Sequence, residues 1–307
     1  MPGAFAHITA VNFALSNASL KKLDMPKKAK LILSRNQKFV ELGSVSPDYP
    51  YLMLASPTQT AWADKMHYEK VGVLIKKAIL LVKALPGEEQ EKAFSWLCGF
   101  VAHVITDITI HPVIELRVGP YKENAKEHRI CEMNQDAHIW PTLNLGKIGY
   151  ADRVRGNIGA CNDAHNPSDL DKTITTLWGH CLTEIFPDTA KATPPDINGW
   201  HKGFQFIVDN VDEGYRLFPF ARHVAAKQGL VYPSKDAIDL SYIKGLKTPV
   251  GIADYDAIFE RAVENVREYT CCLANAVFDE GRVDMFLNWN LDTGLCEDGN
   301  LTAWNNA

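Results

Sequence analysis

Residues 93–112 read AFSWLCGFVAHVITDITIHP, a largely apolar stretch that carries two imidazoles and one carboxylate at regular spacing. His103, Asp107 and His111 follow one another at intervals of four residues. In an α-helix each such step rises about 6 Å and turns the side chain by about 40°, so all three lie along one stripe. A helix that is apolar nearly all round belongs inside a domain. The stretch therefore predicts a buried central helix.

A buried carboxylate and two buried imidazoles need partners inside the protein. Removing a charged group from water is costly unless an opposite charge or hydrogen bonds replace the water. One cation would satisfy His103, Asp107 and His111 together, which makes the stripe a candidate metal site. Alternatively, these are polar core residues that hydrogen-bond to neighbouring helices. Three such residues in register on one apolar helix favour the metal interpretation.

The composition is that of an ordinary soluble globular protein. Among 307 residues, 46% are hydrophobic and 22% are charged, and the formal net charge is -5. No apolar run approaches the length of a membrane span, so we expect no transmembrane segment. The acidic balance gives no general basic field, and we expect no stable nucleic-acid complex. The oligomeric state is left open.

The N-terminal sequence and the cysteines bear on the cellular compartment. Residues 1–17, MPGAFAHITAVNFALSN, lack a basic region followed by an apolar segment and a small-residue cleavage site. The seven cysteines are odd in number and form no CxxC pair, which favours reduced, structural thiols. We therefore predict a cytoplasmic protein, or a secreted one if a signal peptide has been removed.

Helical periodicity recurs along the chain and strand signals are scarce, so we predict an all-α protein. The central helix is expected from Glu88 to Ile110, because Pro112 limits its continuation. Gly43 and two nearby prolines predict irregular backbone from Glu41 to Leu52. Asp48 lies in that predicted loop, where a turn or helix-capping role is the ordinary alternative to a catalytic one.

Further helices are expected on both sides of the central one. The clearest runs from Asp254 to Phe278, and shorter ones run from Glu123 to Ala137 and from Ala221 to Lys227. We assign residues 1–290 to a single domain with additional C-terminal helices, and residues 291–307 to a polar, peripheral tail.

The side chains able to bind a metal ion are concentrated in the first part of the chain. They are imidazoles and carboxylates without a thiolate, which is the ligand set of a catalytic zinc site or a related hydrolytic site. His128 and Glu132, four residues apart, would share one helix face. On a surface helix such a pair is usually only solvated, so the surrounding candidate ligands decide whether it binds a metal ion. The candidate ligands are His7, Asp48, His67, His103, Asp107, His111, His128 and Glu132.

Taken together, these residues resemble the zinc-dependent phospholipase C family, whose relatives include glycosylphosphatidylinositol-specific phospholipase D and the trinuclear-zinc nucleases. The resemblance rests on GSVSPD at residues 43–48, on His67, on the H-x-x-x-D-x-x-x-H pattern of residues 103–111 and on the H-x-x-x-E pattern of residues 128–132. The first motif and the four-residue step from the aspartate to the second histidine are most similar to the phospholipase D branch. An all-α, multi-helix zinc phospholipase C-like fold is implied.

The resemblance also implies that the candidate ligands hold two or three metal ions. Zinc is favoured, and manganese or iron would also suit the ligands. One ion would be held by Asp48, His67, His103 and Asp107. A second would be held by His111, His128 and Glu132.

A third ion in the family is bound by the mature N-terminal residue, a nearby histidine and the bridging aspartate. Removal of Met1 would make Pro2 the N-terminal residue, and its secondary amine is a competent ligand. His7 matches the nearby histidine, and Asp107 matches the bridging aspartate. Retention of Met1 would block this site.

By resemblance, the chain is a metal-dependent phosphodiesterase that hydrolyses a phospholipid or a small phosphodiester with metal-activated water. Asp48 would orient or deprotonate that water. Further candidates for substrate contact, for each of which an ordinary surface or core role is the favoured alternative, are Asn134, Asp136, His138, Trp140, Arg153 and Arg155.

Two other functions are compatible with the same residues. A nuclease or 3′-nucleotidase would use the same metal site with an aromatic stacking pocket, for which Trp62, Trp140 or Tyr68 are candidates. A non-catalytic, metal-stabilised scaffold or interaction protein would instead have closed coordination spheres with no open position. Eight ligands shared among two or three ions leave room for water, which favours an enzyme.

Overall fold

The computed structural model describes residues 3–53, 56–144, 152–211 and 232–305, and helices dominate them. Within these ranges the chain forms thirteen α-helices, several short 3-10 helices and one two-stranded antiparallel hairpin. The predicted all-α fold is therefore confirmed. The helix expected from Ala221 to Lys227 lies outside the described residues.

The elements follow one another closely along the chain. The α-helices are α1 Ala4–Ala14, α2 Asn17–Lys22, α3 Lys27–Arg35, α4 Gln37–Val45, α5 Thr60–Tyr68, α6 Val71–Ala84, α7 Gly87–Val118, α8 Tyr121–Ile139, α9 Asp152–Gly159, α10 Lys172–Ile185, α11 Pro187–Ala192, α12 Ile197–Val211 and α13 Tyr255–Phe278. The hairpin pairs β1 Leu246–Thr248 with β2 Gly251–Ala253, with Lys247 opposite Ile252.

Helix α7 is the axis of the fold and is longer than predicted. It is buried continuously from Ala93 to Ile114. Pro112 lies inside the helix instead of ending it, so that part of the prediction is wrong. Proline lacks the N–H that would bond the carbonyl of Ile108, but it leaves the other helical hydrogen bonds in place. Gly294, near the end of the chain, packs against both residues at this point.

The same helix passes a simple test for a membrane span. It holds an 18-residue window with a mean hydropathy of 1.6, so the prediction that no apolar run reaches that length is wrong. That window is 100% buried inside the protein, however, as expected of the core helix of a globular domain. Among the residues that the structure describes, no other helix of that length is as apolar.

Helices α4 and α7 cross at two glycines, and this crossing sets the position of the chain that follows α4. A Cβ atom on Gly43 would lie 2.0 Å from the carbonyl oxygen of Trp96, and one on Gly99 would lie 2.0 Å from that of Val40. Gly43 therefore permits close helix packing, not the irregular backbone that we predicted there. The rest of the predicted loop is a 3-10 helix, Ser46–Leu52.

The second half of the chain packs on the same core. Helix α13 lies along α7, where the Asn265 amide donates to the Thr109 hydroxyl at 3.1 Å. The rings of Phe94 and Phe278 meet edge to face with 4.8 Å between their centres. The hairpin also contacts α7, with Leu246 buried against it. These contacts cover the central helix.

The end of the chain is not the peripheral tail that the sequence predicts. Leu291 and Trp304 are buried. The indole N–H of Trp304 donates to the carbonyl oxygen of Thr109 at 3.1 Å, and the backbone N–H of Leu291 donates to that of His67 at 2.9 Å. A few apolar side chains among polar neighbours thus anchor this segment to α5 and α7.

Replacing Gly43 by alanine is expected to lower the free energy of unfolding by about 1–3 kcal/mol, because the new methyl group overlaps the backbone of Trp96. Gly156→Ala is the matched control: Gly156 also lies inside a helix, but a Cβ atom there would meet no packed neighbour within 4 Å. This control should raise stability by up to about 1 kcal/mol. Urea unfolding followed by circular dichroism measures both, and equal effects would contradict the close crossing.

Candidate metal centre

Four elements bring three imidazoles and two carboxylates to one point. Helix α7 contributes His103 and Asp107, α1 contributes His7, α5 contributes His67, and the 3-10 helix after α4 contributes Asp48. Because α4 packs tightly on α7, Oδ1 of Asp48 comes within 3.8 Å of Nε2 of His103. Four of the five side chains are fully buried, whereas that of Asp48 is 14% exposed.

The ligand atoms form two overlapping groups of three. In one, Asp107 Oδ1 lies 3.3 Å from Nε2 of His7, and its Oδ2 lies 3.1 Å from Nε2 of His103. In the other, Asp48 Oδ1 lies 3.2 Å from Nε2 of His67, and His103 is again the third member. Within each group the ligand atoms lie within 4.8 Å of one another. The four residues predicted for the first ion, and the histidine predicted for the third, are thus brought together.

The other predicted ligands are buried but less closely spaced. His111 lies one turn beyond Asp107 on α7, and His128 and Glu132 lie on α8, which packs against α7. Nδ1 of His128 is 4.0 Å from Oε1 of Glu132. Among the described residues, none of these three belongs to a compact group of ligand atoms. The second predicted ligand set is therefore present on adjacent helices, without the tight geometry of the first.

Backbone carbonyls fix the orientation of three histidine rings. The distances from Nδ1 to the accepting oxygen are 2.7 Å for His67 and Ala63, 2.9 Å for His103 and Ser44, and 2.7 Å for His111 and Leu291. A carbonyl oxygen only accepts, so each Nδ1 carries a proton, and Nε2 is the nitrogen that is left to bind a cation. The second nitrogen of a metal-binding histidine is normally held in this way.

The atoms that face the centre have no hydrogen-bond partner outside the cluster itself. They are both carboxylate oxygens of Asp107, Oδ1 of Asp48, and Nε2 of His7, His67, His103 and His111. Buried polar atoms are nearly always satisfied, because an unsatisfied one costs free energy. Converging nitrogen and oxygen atoms without a thiolate are the donors that zinc and related divalent cations take. The residues present therefore fit a metal ion.

The electrostatics of the cluster keep its central carboxylate ionised. Burial alone would raise the pKa of Asp107, but His103, His111 and His7 hold it well below its usual range. Burial also opposes a charge on His103, yet Asp107 and Asp48 outweigh it and raise the pKa of His103 to about 9. Burial holds the pKa of His111 well below its usual value. The cluster thus favours positive charge beside Asp107.

A cavity of about 480 Å³ lies beside the centre. Asp48 and Glu132 form part of its wall, and Gly3 lines it as well. Arg129 is the one basic residue among the described residues that line it. The remaining wall is largely aromatic or aliphatic and is made by Ala4, Val45, Tyr51, Leu52, Tyr121, Ala125 and Phe204. A substrate in this cavity would reach the ligand group through Asp48.

Apart from Asp48 and Glu132, the residues that line this cavity were not predicted from the sequence, although some signals were present. Tyr51 follows Asp48 by three residues, and Arg129 is adjacent to His128. Both could have been proposed from their proximity to candidate ligands. Phe204 comes from α12 and has no such signal, because only tertiary packing brings that helix to the site.

The residues proposed for substrate contact are engaged elsewhere. Asp136 accepts the backbone N–H of Ala6 at 2.7 Å, at the start of α1, and Trp140 packs edge-on against Phe5. Asn134 accepts the backbone N–H of Asp239 at 2.8 Å, and His138 lies 2.9 Å from the Asp256 carboxylate. None of the four lines the cavity, so we assign them structural roles.

Three predicted residues cannot be placed in this way. Pro2, and the side chains of Arg153 and Arg155, lie outside the described part of the chain. Their roles stay predictions.

Comparison with known proteins agrees with this geometry. Residues 6–188, more than half of the 307-residue chain, match the family described as zinc dependent phospholipase C. Searches of curated proteins and of solved structures give no match. The matched range contains every candidate ligand from His7 to Glu132. The resemblance of the motifs is confirmed by this match, and the chain belongs to the zinc-dependent phospholipase C family.

Proposed function

We propose that this chain hydrolyses a phosphodiester bond of a phospholipid at the metal centre, with zinc as the physiological metal. The observation that carries the proposal is the position of Asp48, which belongs both to a group of ligand atoms and to the wall of the cavity. Membership of the phospholipase family supports a phospholipid as the substrate. The buried cluster of imidazoles and carboxylates supports metal dependence.

The residues of the centre would have different roles in the reaction. Bound zinc would lower the pKa of a water molecule and offset the charge of phosphoryl oxygens. Asp48, the ligand with access to the cavity, would orient the attacking water and accept its proton. Asp107, which presents one oxygen to His7 and the other to His103, would hold two cations at once.

The wall of the cavity suits a molecule with an anionic and an apolar part. Arg129 would contact a phosphoryl or head-group oxygen. The aromatic rings of Tyr51, Tyr121 and Phe204 would contact the glyceride or the upper acyl chains. These contacts support a phospholipid over a small, wholly polar phosphodiester.

The alternatives have less support. Trp62 and Trp140, two of the three residues considered for a nuclease stacking pocket, are buried in the core, and the indole N–H of Trp62 donates to the carbonyl of Thr193 at 3.0 Å. Tyr68 is half-buried, and its hydroxyl donates to Asp292. A closed structural site is disfavoured because the cavity gives the centre an open side. The cytoplasmic location and the assignment of residues 1–290 to a single domain stay predictions.

Hydrolysis of mixed micelles of phosphatidylcholine, phosphatidylethanolamine and phosphatidylglycerol tests the proposal. Release of diacylglycerol with the phosphorylated head group is expected from at least one lipid. Activity should disappear after dialysis against a chelator and return with zinc, because the proposed reaction needs a cation at this cluster of ligand atoms. Bis-p-nitrophenyl phosphate and single-stranded DNA are assayed separately, as substrates for the alternative functions. Cleavage of DNA alone, or of nothing by zinc-loaded protein, would contradict the proposal.

Asp107→Asn is expected to lose zinc and activity together. The amide is neutral and can present only one oxygen, so it cannot hold two cations between His7 and His103. Native mass spectrometry should report at least one zinc ion fewer than in the unaltered chain. The control Asp188→Asn changes an exposed carboxylate on α11 and should keep the full count. An unchanged zinc count and normal turnover in Asp107→Asn would contradict the bridging role.

Asp48→Asn should separate turnover from metal content. The amide can still approach the cation through its oxygen, but it cannot accept a proton from water. The value of kcat is expected to fall about 10²- to 10⁴-fold, the usual range for losing a general base. Zinc content should fall by a smaller factor. A variant that loses zinc in proportion to activity would instead assign Asp48 to metal binding alone.

A further inference from the structure

Leu291 contacts two of the candidate metal ligands, His67 and His111, through its backbone. The backbone N–H of Leu291 donates to the carbonyl oxygen of His67 at 2.9 Å, at the end of α5. Its own carbonyl oxygen accepts the Nδ1 proton of His111 at 2.7 Å. Leu291 lies far beyond residues 6–188, the part of the chain that matches the family. Both contacts use the backbone, so the identity of the side chain gives no hint of them.

The chain around Leu291 forms a turn with its own hydrogen bonds. The side-chain oxygen of Asn290 accepts the backbone N–H groups of Asp292 and Thr293 at 3.0 and 3.1 Å. The backbone carbonyl of Asn290 accepts the N–H of Gly294 at 2.8 Å. We call residues 290–294 the Asn290 turn. These bonds fix the direction of the Leu291 carbonyl toward His111.

The Asn290 turn is seated against the central helix where Pro112 interrupts its hydrogen bonds. Gly294 has a φ of +71°, and a Cβ atom there would lie 2.6 Å from Cγ of Pro112 and 2.7 Å from the carbonyl oxygen of Ile108. The carbonyl of Ile108 is the one left without its helical partner by Pro112. Only glycine allows so close an approach of two backbones. Pro112, against which the turn packs, directly follows His111 on α7.

Asp292 adds a negative charge on the same side. Its Oδ1 lies 3.9 Å from Nδ1 of His111, and its Oδ2 accepts the hydroxyl of Tyr68 at 3.0 Å. The Tyr68 bond attaches the turn to the last residue of α5, next to His67. The turn is therefore joined to both helices that carry these two histidines.

We propose that the Asn290 turn is a positioning element of the metal centre, in which Leu291 fixes the tautomer of His111 and the end of α5 that carries His67. With its Nδ1 proton bound to Leu291, His111 presents the lone pair of Nε2, an atom that has no hydrogen-bond partner. The inference rests on the proposed metal centre, and it extends that centre to a segment outside the family match.

Two glycine variants test the proposal with matched backbone strain. Gly294→Ala forces the turn away from Pro112, whereas Gly299→Ala lies in the same segment with a φ of +75°, and a Cβ atom there would meet no neighbour within 4 Å. Loss of such a supporting contact costs about 10- to 100-fold in metal affinity. Gly294→Ala should bind its weakest zinc ion that much less tightly. Gly299→Ala should bind as the unaltered chain does.

Zinc count by native mass spectrometry, and the visible spectrum of the cobalt-substituted protein, are the readouts. A changed cobalt spectrum in Gly294→Ala but not in Gly299→Ala supports positioning, since a purely structural effect would leave the ligand field of the folded protein unchanged. Equal zinc affinity and identical spectra in both variants overturn it. If the unaltered chain binds no zinc, the proposed function itself fails, which is a different result.

A measurement on the unaltered chain covers the case in which Gly294→Ala does not fold. Coupling between two sites is reciprocal, so removing zinc should loosen the turn if the turn holds the zinc site. Hydrogen exchange of the Leu291 amide should quicken after chelation, while exchange in the hairpin Leu246–Ala253 stays the same. Unchanged exchange at Leu291, or equal quickening of the hairpin, overturns the proposal.

Discussion

The buried charge of Asp107 is the constraint on which the rest of this structure depends. A carboxylate with no exposed surface, and with no hydrogen-bond partner outside the surrounding histidines, is unfavourable unless positive charge surrounds it. The imidazoles of His7, His67 and His103 converge on it from three different helices. A metal ion would satisfy all of these groups at once. The helices are therefore arranged around a point of charge and not only around an apolar core.

Helix packing gives that point its geometry. The glycine crossing of α4 and α7 brings the carbonyl of Ser44 to Nδ1 of His103 and carries Asp48 to the opposite side of the same ring. The carbonyls of Ala63 and Leu291 do the same for two further histidines. Because each ring is held at its outer nitrogen, the inner nitrogen is aimed before any ligand arrives, which lowers the entropy lost on binding.

Much of this arrangement could be predicted from the sequence, and the rest has physical reasons for being hidden. Spacing on one apolar helix is a local property, so His103, Asp107 and His111 could be identified as a buried stripe. Asp48 and His67 are distant from this helix in the sequence, and they were identified by their match to the family motifs. The contacts of Leu291 could not be predicted, because they use backbone groups that nearly every residue has. The predictions at Pro112 and Gly43 were wrong because a helix can accept a proline or a glycine where the chain packed against it compensates, and that packing is not visible in the sequence.

Crystallography of zinc-loaded protein with anomalous data at the zinc absorption edge tests the central claim most directly. One anomalous peak is expected about 2.0–2.2 Å from Nε2 of His67 and His103 and from Oδ1 of Asp48, with Asp107 reaching it and a second peak beside His7. No anomalous peak at saturating zinc, with the imidazoles and carboxylates bonded to one another or to water, would contradict a metal centre and leave a polar core in its place.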